Sequence, residues 1–269
     1  MKSRLFPALL KYWRSRRGLS QLELGLEAEV SARHVSFLES GRAQPSQEMV
    51  LRLLSVLGVP LRDQNEALRA AGLEPRFPES SADDLPPEVD LAITQMMQQH
   101  EPFPLTVLAR DGTVLRANRS AHATFKTFAT DPAALLPTLD LFSLFFDPRL
   151  WRPFVVDWEH VAHAMIARLH REVLLSGDAR LTVVLDRLLG FPNVPPTWRQ
   201  PDFSTDDGPI VSFRLARGAL KVGFLVAVTT FSGQRQVLLD ELRIESCFPL
   251  DADTRQVCNR LAAYAHVTG

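Results

Sequence analysis

The segment 19–46 constrains the fold of this chain most, because it encodes the starts of three short helices within fewer than 30 residues. Ser20 is followed three residues later by Glu23, which is the capping-box pattern that begins a helix. Ser31 and Ser46 provide two further helix starts of the same chemical type. Three closely spaced starts predict a compact bundle of short helices joined by tight turns.

Small and apolar residues determine how the first two of these helices pack. Gly25 and Ala28 allow their helix to cross its neighbour closely, and Val30 fills the core at the turn. Val35 and Leu38 are three residues apart, so they anchor one side of the second helix from behind. The positions left on the open side of its N-terminal end are Ala32, Arg33, Ser36 and Phe37.

This segment resembles the helix-turn-helix of Xre/Cro-type repressors. The resemblance rests on the opening Ser20-Gln21, the exit Glu39-Ser40-Gly41-Arg42 and the next helix start Pro45-Ser46. It implies that the second helix enters the major groove of double-stranded DNA and that Glu39 pairs with Arg14. Glu29 departs from the family pattern, which often has Gly at this turn, since a non-Gly residue with positive φ is uncommon.

Side-chain chemistry assigns hypotheses to the exposed positions of the motif. Arg33 can donate two hydrogen bonds to guanine, whereas Phe37 either contacts a thymine methyl group or is partly buried in the core. Gln21 lies at a helix N-terminus, where backbone amides favour phosphate, and Arg42 is placed to neutralise phosphate. The remaining polar positions are either phosphate contacts or merely solvated. The predicted DNA-binding residues are Gln21, Ala32, Arg33, His34, Ser36, Phe37 and Arg42.

Charge is divided unevenly along the chain. Residues 1–74 hold 11 basic and eight acidic side chains, whereas the remainder holds 19 basic and 23 acidic ones. A positive first part indicates an anionic partner such as nucleic acid. A stretch rich in Pro, Ser and Asp follows, so we expect a helix-turn-helix domain at 1–74, a linker at 75–87 and a second domain at 88–269.

The second domain mixes predicted helices and strands without regular alternation, which favours an α+β fold. The runs Leu105–Leu108 and Val114–Ala117 flank Asp111-Gly112, a strong hairpin-turn signal. Further strands are predicted at 210–215, 220–230 and 236–244, and helices at 88–99, 157–175 and 254–266.

Aromatic residues are concentrated between positions 142 and 158. They form either a plain aromatic core or the wall of a ligand cavity, since ligand sites are concave and mostly apolar. The candidate ligand-binding residues are Phe146, Trp151, Phe154, Trp158, Phe213 and Phe224. Arg168 and His163 are candidates to meet a carboxylate, although a solvated helix face is favoured for both.

This second part resembles the MmyB-type transcription-regulator ligand-binding domain, and its first hairpin resembles that of a PAS-type sensor. The residues that carry the resemblance are Asn118, 144–148, Trp158, 185–192, Gly218 and 242–251. It implies a PAS-like antiparallel sheet covered by helices, in which Asn118 ties a strand end to the following helix. It also implies an apolar pocket for a fatty-acid-like molecule. Together the two resemblances imply a transcription regulator that responds to a small apolar ligand, and we expect it to bind DNA as a homodimer. The start of the chain is not followed by an apolar stretch long enough for a signal peptide, so we expect a cytoplasmic protein.

Other classes of function are disfavoured by what the sequence lacks. His160, His163 and His170 have spacing that permits a metal or haem, but no Cys or carboxylate set accompanies them. No Gly-rich phosphate loop or nucleophile elbow is present, so we expect no enzyme, no catalytic residue, no metal and no cofactor beyond a bound fatty-acid-like ligand. No apolar run suggests a membrane span. The remaining alternative is an antitoxin or scaffold whose helical head binds protein.

Overall fold

The computed structural model describes residues 5–79, 85–135, 139–201, 212–231 and 236–265. These residues divide into two units. The first unit contains 5–79 together with 236–240, and the second contains 85–135, 139–201, 212–231 and 241–265.

Short α-helices make up most of the first unit. Their bounds are α1 Leu5–Arg16, α2 Gln21–Glu27, α3 Ala32–Glu39, α4 Gln47–Val56 and α5 Leu61–Ala70. Ser20, Ser31 and Ser46 each accept a hydrogen bond from the backbone N–H three residues further on. These caps satisfy amides that would otherwise lack partners at a helix start. The three helix starts predicted from the serines are therefore confirmed.

The core of the first unit is mostly aliphatic, with the rings of Phe6 and Trp13, and α5 has two buried amides, Gln64 and Asn65. Asn65 on α5 is fully buried, and its Oδ1 accepts the backbone N–H groups of Arg76 and Phe77. Its Nδ2 donates to the Phe77 carbonyl at 2.7 Å. The first residues of the predicted linker are therefore bonded to α5. The fully buried apolar residues include Leu10, Leu24, Val35, Leu38, Leu53, Leu54 and Leu68.

Helices and strands alternate irregularly in the rest of the chain. The helices are α6 Pro87–Gln99, α7 Arg119–Thr127, α8 Leu141–Phe146, α9 Trp158–Ser176, α10 Ala179–Leu189, α11 Val237–Glu241 and α12 Ala252–Ala265. The strands are β1 Leu105–Leu108, β2 Val114–Ala117, β3 Ser212–Arg217, β4 Leu220–Thr229 and β5 Arg243–Pro249. Short 3₁₀ turns lie at Pro132–Leu135, Arg152–Phe154 and Pro196–Arg199.

Among the described residues, the strands form one five-stranded sheet in the order β2-β1-β5-β4-β3. Every pairing in this sheet is antiparallel. In its register Leu105 lies opposite Ser246, and Phe213 lies opposite Phe224. All four residues of β1 are buried. The predicted α+β class, with a helical bundle followed by an antiparallel sheet and helices, is confirmed.

Asn118 joins the first hairpin to α7. Its Oδ1 accepts the backbone N–H groups of Leu105 and Ala121 at 3.0 and 2.9 Å, and its Nδ2 donates to the Phe103 carbonyl at 2.8 Å. One buried side chain therefore satisfies a strand start and a helix start together. The expectation that Asn118 ties the strand end to the following helix is confirmed.

The strand predicted over 236–244 is wrong. Residues Val237–Glu241 form α11, and the strand begins only at Arg243. Leu238, Leu239 and Glu241 are good helix formers, which favours one helical turn over an extended backbone. The prediction followed the apolar character of this run, which does not distinguish a short buried helix from a strand.

The helices of the second unit pack in two groups. The closing helix α12 contacts α7 and β4, while α10 contacts both α9 and α8. Aromatic and aliphatic side chains between these elements form one continuous apolar cluster. Within the described part of the chain, none of the helices combines the length and apolar character needed to cross a bilayer.

Candidate nucleic-acid interface and ligand site

The turn between α2 and α3 depends on a close backbone approach and on a left-handed residue. A Cβ atom on Gly25 would lie 2.6 Å from the Val30 carbonyl oxygen, so a larger residue would push α2 away from the turn. Glu29 adopts φ +55°, the conformation that Gly adopts at no steric cost. The departure seen in the sequence therefore does not abolish the turn but places a glutamate in the left-handed region.

Helix α3 is anchored on one side and open on the other. Val35 and Leu38 are fully buried against the core of the first unit. Arg33 is exposed, and its guanidinium lies 5.3 Å from the centre of the Phe37 ring. Ala32, His34 and Ser36 are half-buried. The exposed N-terminal part of α3 thus carries a basic group beside an aromatic ring.

Glu39 connects three helices at the base of this surface. Its carboxylate accepts hydrogen bonds from Arg14 Nε at 2.6 Å, from Arg14 Nη2 at 3.0 Å and from Gln21 Nε2 at 2.8 Å. Hydrogen bonding to Glu39 raises the pKa of Arg14. The pairing implied for Arg14 and Glu39 is therefore present. The Glu39 carboxylate also orients the side-chain amide of Gln21, which lies at the start of α2.

Arg42 follows α3 and is exposed. Its backbone N–H donates to the Phe37 carbonyl at 2.8 Å, so its position relative to α3 is determined by main-chain bonding. Gly41, immediately before it, has φ +71° and ends the helix. The seven predicted DNA-binding residues all lie on α2, on α3 or directly after α3, and their contacts with DNA stay a prediction.

The six predicted ligand-binding aromatics all contact the apolar cluster of the second unit. Trp151 lies 5.7 Å from Phe213, which lies 5.6 Å from Phe224 on the neighbouring strand. Phe146 lies 5.9 Å from Trp158. Phe146, Trp151, Phe213 and Phe224 are buried, whereas Phe154 and Trp158 are partly buried. The structure therefore brings the aromatics together, and their role as a ligand wall stays a prediction.

The two tryptophans differ in how their indole N–H groups are satisfied. Trp158 Nε1 donates to the Phe145 carbonyl at 2.6 Å. Trp151 Nε1 is buried and has no hydrogen-bond partner among the described residues. An unsatisfied buried donor costs about 1–3 kcal/mol.

Arg152 is a residue that the sequence reasoning missed. Its guanidinium carbon lies 3.9 Å from the centre of the Trp158 ring, and Nη1 donates to the carbonyls of Phe146 and Pro192. Burial lowers the pKa of Arg152. The sequence places Arg152 within the aromatic run Trp151-Arg152-Pro153-Phe154, where stacking on a ring is favoured, but it does not indicate which ring.

The two basic residues that the sequence proposed as partners of a carboxylate are Arg168 and His163, and both have contacts within the protein. Arg168 Nε bonds to Glu172 at 2.9 Å on an exposed part of α9, in agreement with the solvated face that the sequence favoured. The His163 ring lies 5.2 Å from the Trp198 ring. His170 is buried and its Nε2 lies 2.8 Å from the Trp198 carbonyl.

Strand β5 carries the half-buried carboxyl group of Glu245 on the same face as the Cys247 thiol. Burial raises the pKa of Glu245 to about 7, an effect that the positive charge of Arg168 partly opposes. Burial also raises the pKa of Cys247, and raises that of Cys258 to about 11. Both thiols are therefore neutral at physiological pH. In the part of the chain that the structure describes, no group of three or more His, Cys, Asp or Glu could hold a metal ion.

Comparisons with known proteins bear on both units. Residues 10–64 match the family described as helix-turn-helix, and residues 89–261 match the family described as MmyB-like transcription regulator ligand binding domain. A Yarrowia lipolytica protein that carries the name multi-protein-binding factor 1 is 40% identical over 55 residues. That alignment covers 20% of this chain and 36% of the relative.

A helix-turn-helix joined to a ligand-binding domain defines the class of DNA-binding transcription regulators with a small-molecule effector. Both matched families are regulatory rather than enzymatic. Since the ligand-binding match covers more than half of the residues, the chain belongs to the family of MmyB-like transcription regulators.

Proposed function

We propose that the first unit recognises a specific sequence of double-stranded DNA by placing the N-terminal part of α3 in the major groove. The observation that carries this proposal is the burial of Val35 and Leu38 behind α3 while Arg33 stays exposed in front. Arg33 then donates two hydrogen bonds to the O6 and N7 atoms of a guanine. Phe37, beside it, contacts the methyl group of a neighbouring thymine.

The remaining predicted residues position the unit on the DNA backbone. The start of α2 at Gln21 presents backbone amides to one phosphate, and Arg42 neutralises another. His34 and Ser36 contact phosphate oxygens, and Ala32 permits close approach of α3. Such contacts give affinity and register without reading sequence.

The second unit, in this proposal, binds a small apolar, fatty-acid-like effector. The aromatic cluster supports this, because Trp158 and Phe154 lie at its partly buried margin and the buried rings continue it inward. These buried rings are Phe146, Trp151, Phe213 and Phe224. We propose domains at 1–74 and 88–269 joined by a linker at 75–87. The protein acts in the cytoplasm as a homodimer on two half-sites about one helical turn apart.

Effector binding changes the affinity for DNA by the same factor by which the effector's own affinity differs between the free and the DNA-bound protein. Dodecanoate is a suitable probe because it is a simple fatty acid. We expect the dissociation constant for dodecanoate to differ between free and DNA-bound protein in isothermal titration calorimetry. Equal affinities in the two states would contradict the coupling.

The test of DNA recognition is a selection of duplexes from a randomised pool by the full chain. We expect a pair of related half-sites to be enriched, and we expect the affinity for the enriched duplex to fall steeply as salt concentration rises. Enrichment of no motif, together with binding that is insensitive to salt, would contradict the proposal.

Protein binding by the helical unit is a second candidate function. Leu22 and Leu26 lie one turn apart on α2 and are 60% and 71% exposed, which forms a small apolar stripe. The Yarrowia lipolytica relative is also named for binding proteins. This candidate predicts that replacing both leucines by Ser abolishes binding to a partner protein without changing the DNA motif selected by the chain.

A further inference from the structure

We propose that Arg152 binds the anionic head group, a carboxylate or phosphate, of an amphiphilic effector whose alkyl chain contacts the aromatic cluster around Trp158. This inference rests on the proposed effector-binding function of the second unit, and it assigns the charge of the ligand and the residue that recognises this charge.

Arg152 lies at the margin of the aromatic cluster rather than in open solvent. It begins the 3₁₀ turn that follows Trp151, and its guanidinium carbon lies 3.9 Å from the Trp158 ring centre. Trp158 is in turn 5.9 Å from both Phe146 and Trp198. A ligand head on Arg152 would therefore have apolar ring surface directly beside it for an alkyl chain.

The hydrogen bonds of Arg152 leave one side of the guanidinium available. Of its nitrogen atoms, only Nη1 donates to the described residues, to the carbonyls of Phe146 at 3.3 Å and of Pro192. Nε and Nη2 donate to none of the described residues, and no described carboxylate lies within 4.0 Å of this group. The Nε–Nη2 pair is the part of an arginine that matches the two oxygens of a carboxylate or phosphate.

Several other arginines of this unit have acidic partners. Arg149 pairs with Asp147, Arg187 with Asp140, and Arg180 with both Asp178 and Glu241. Arg152 instead carries a partly desolvated charge whose burial lowers its pKa. An anion at this position would offset the cost of desolvation, because a buried charge is otherwise unfavourable.

Arg217 provides a matched control. Its guanidinium carbon lies 5.1 Å from the Phe154 ring, and its Nη1 also donates to two carbonyls, those of Thr127 and Ala129. Arg217 is exposed, however, so its charge is already solvated. If Arg152 served only to bond two carbonyl groups, replacing Arg152 and replacing Arg217 would have the same effect on ligand preference.

The experiment compares dodecanoate, dodecyl phosphate and dodecan-1-ol as probes of the full chain by isothermal titration calorimetry. We expect the wild-type protein to bind at least one of the two anionic probes about ten- to a hundredfold more tightly than the alcohol. Arg152→Gln should remove this preference while retaining affinity for the alcohol. Arg152→Lys should retain part of the preference, and Arg217→Gln should retain all of it. Thermal unfolding of each variant verifies that it is folded.

Three results would overturn the inference. Equal binding of the alcohol and the anions by the wild-type protein would contradict it even if Arg152→Gln failed to fold. An Arg152→Gln protein that loses affinity for all three probes equally would also contradict it. So would an Arg217→Gln protein that loses the preference for anions while Arg152→Gln keeps it. Binding of none of the probes by the wild-type protein would overturn the proposed effector function itself, and the inference with it.

Discussion

At the scale of single residues, Glu39 explains why an acidic side chain lies inside a motif proposed to bind an anion. Its carboxylate is only 4% exposed and accepts hydrogen bonds from Arg14 on α1 and Gln21 on α2. The charge is therefore neutralised by protein. Because the pair is nearly buried, removing one partner leaves an uncompensated charge and costs more than breaking a surface pair.

We predict that Glu39→Ala lowers the free energy of unfolding of the first unit by about 3 kcal/mol, measured by urea denaturation. The matched control is Glu48→Ala, which breaks an exposed pair with Arg52 and should cost less than about 1 kcal/mol. Equal losses in the two variants would show that burial of Glu39 does not contribute.

Glu245 should make the stability of the second unit depend on pH. The pKa of this carboxyl group is about 7 in the folded chain and 4.5 in its ordinary state, so between these values the folded chain binds more protons than the unfolded one. Stability should therefore decrease as pH rises from about 5 to about 7.5, by on the order of 1–3 kcal/mol. Glu245→Gln should remove this decrease in thermal unfolding at a series of pH values. A pH profile identical to that of the wild-type protein would contradict the assignment.

Arg152 and Arg168 illustrate where residue-level prediction succeeds and fails. The solvated position of Arg168 follows from helix periodicity and a glutamate four residues later, and both are local properties of the sequence. The stacking of Arg152 on Trp158 depends on how a 3₁₀ turn packs against a separate helix, which no local pattern encodes. Sequence reasoning therefore identified the aromatics as a group but not the cation among them.

At the scale of elements, the turn between α2 and α3 contains stored strain. Glu29 has φ +55°, which is unfavourable for a residue with a Cβ atom. We predict that Glu29→Gly stabilises the first unit by about 0.5–1 kcal/mol in urea denaturation, because Gly adopts this conformation without steric cost. Glu29→Ala is the control, since it removes the charge but keeps the strained backbone, and it should not stabilise the unit. Stabilisation by both variants would indicate a charge effect instead.

The elements that begin at a serine cap or flank the hairpin-turn signal were predicted accurately. The serine caps located α2, α3 and α4, and Asp111-Gly112 located the hairpin of β1 and β2 within a residue. The helix α11 was predicted as a strand, and α8 and α10 were not predicted. Helices α8 and α11 have six and five residues, too few to show a helical period, whereas α10 has eleven residues and begins at an Asp178 cap that the sequence reasoning overlooked.

At the scale of the whole molecule, the asymmetry of charge and composition indicated two functional parts before any geometry was known. The basic first part and the aromatic second part correspond to the helix-turn-helix match at 10–64 and the ligand-binding match at 89–261. The sequence could not supply the exact ends of these parts. Asn65, for example, holds the backbone of residues 76 and 77, which composition alone assigned to a linker.

The central claim is that the exposed side of α3 distinguishes base pairs, and the most direct measurement is the base preference of Arg33→Ala. Specific affinity for the duplex selected by the wild-type protein should fall by about 1–3 kcal/mol, with discrimination lost at one base position per half-site. Arg69→Ala on α5 removes the same charge from pairs with Glu66 and Glu79 and should leave every position unchanged. An Arg33→Ala protein with an unaltered base preference would contradict the account.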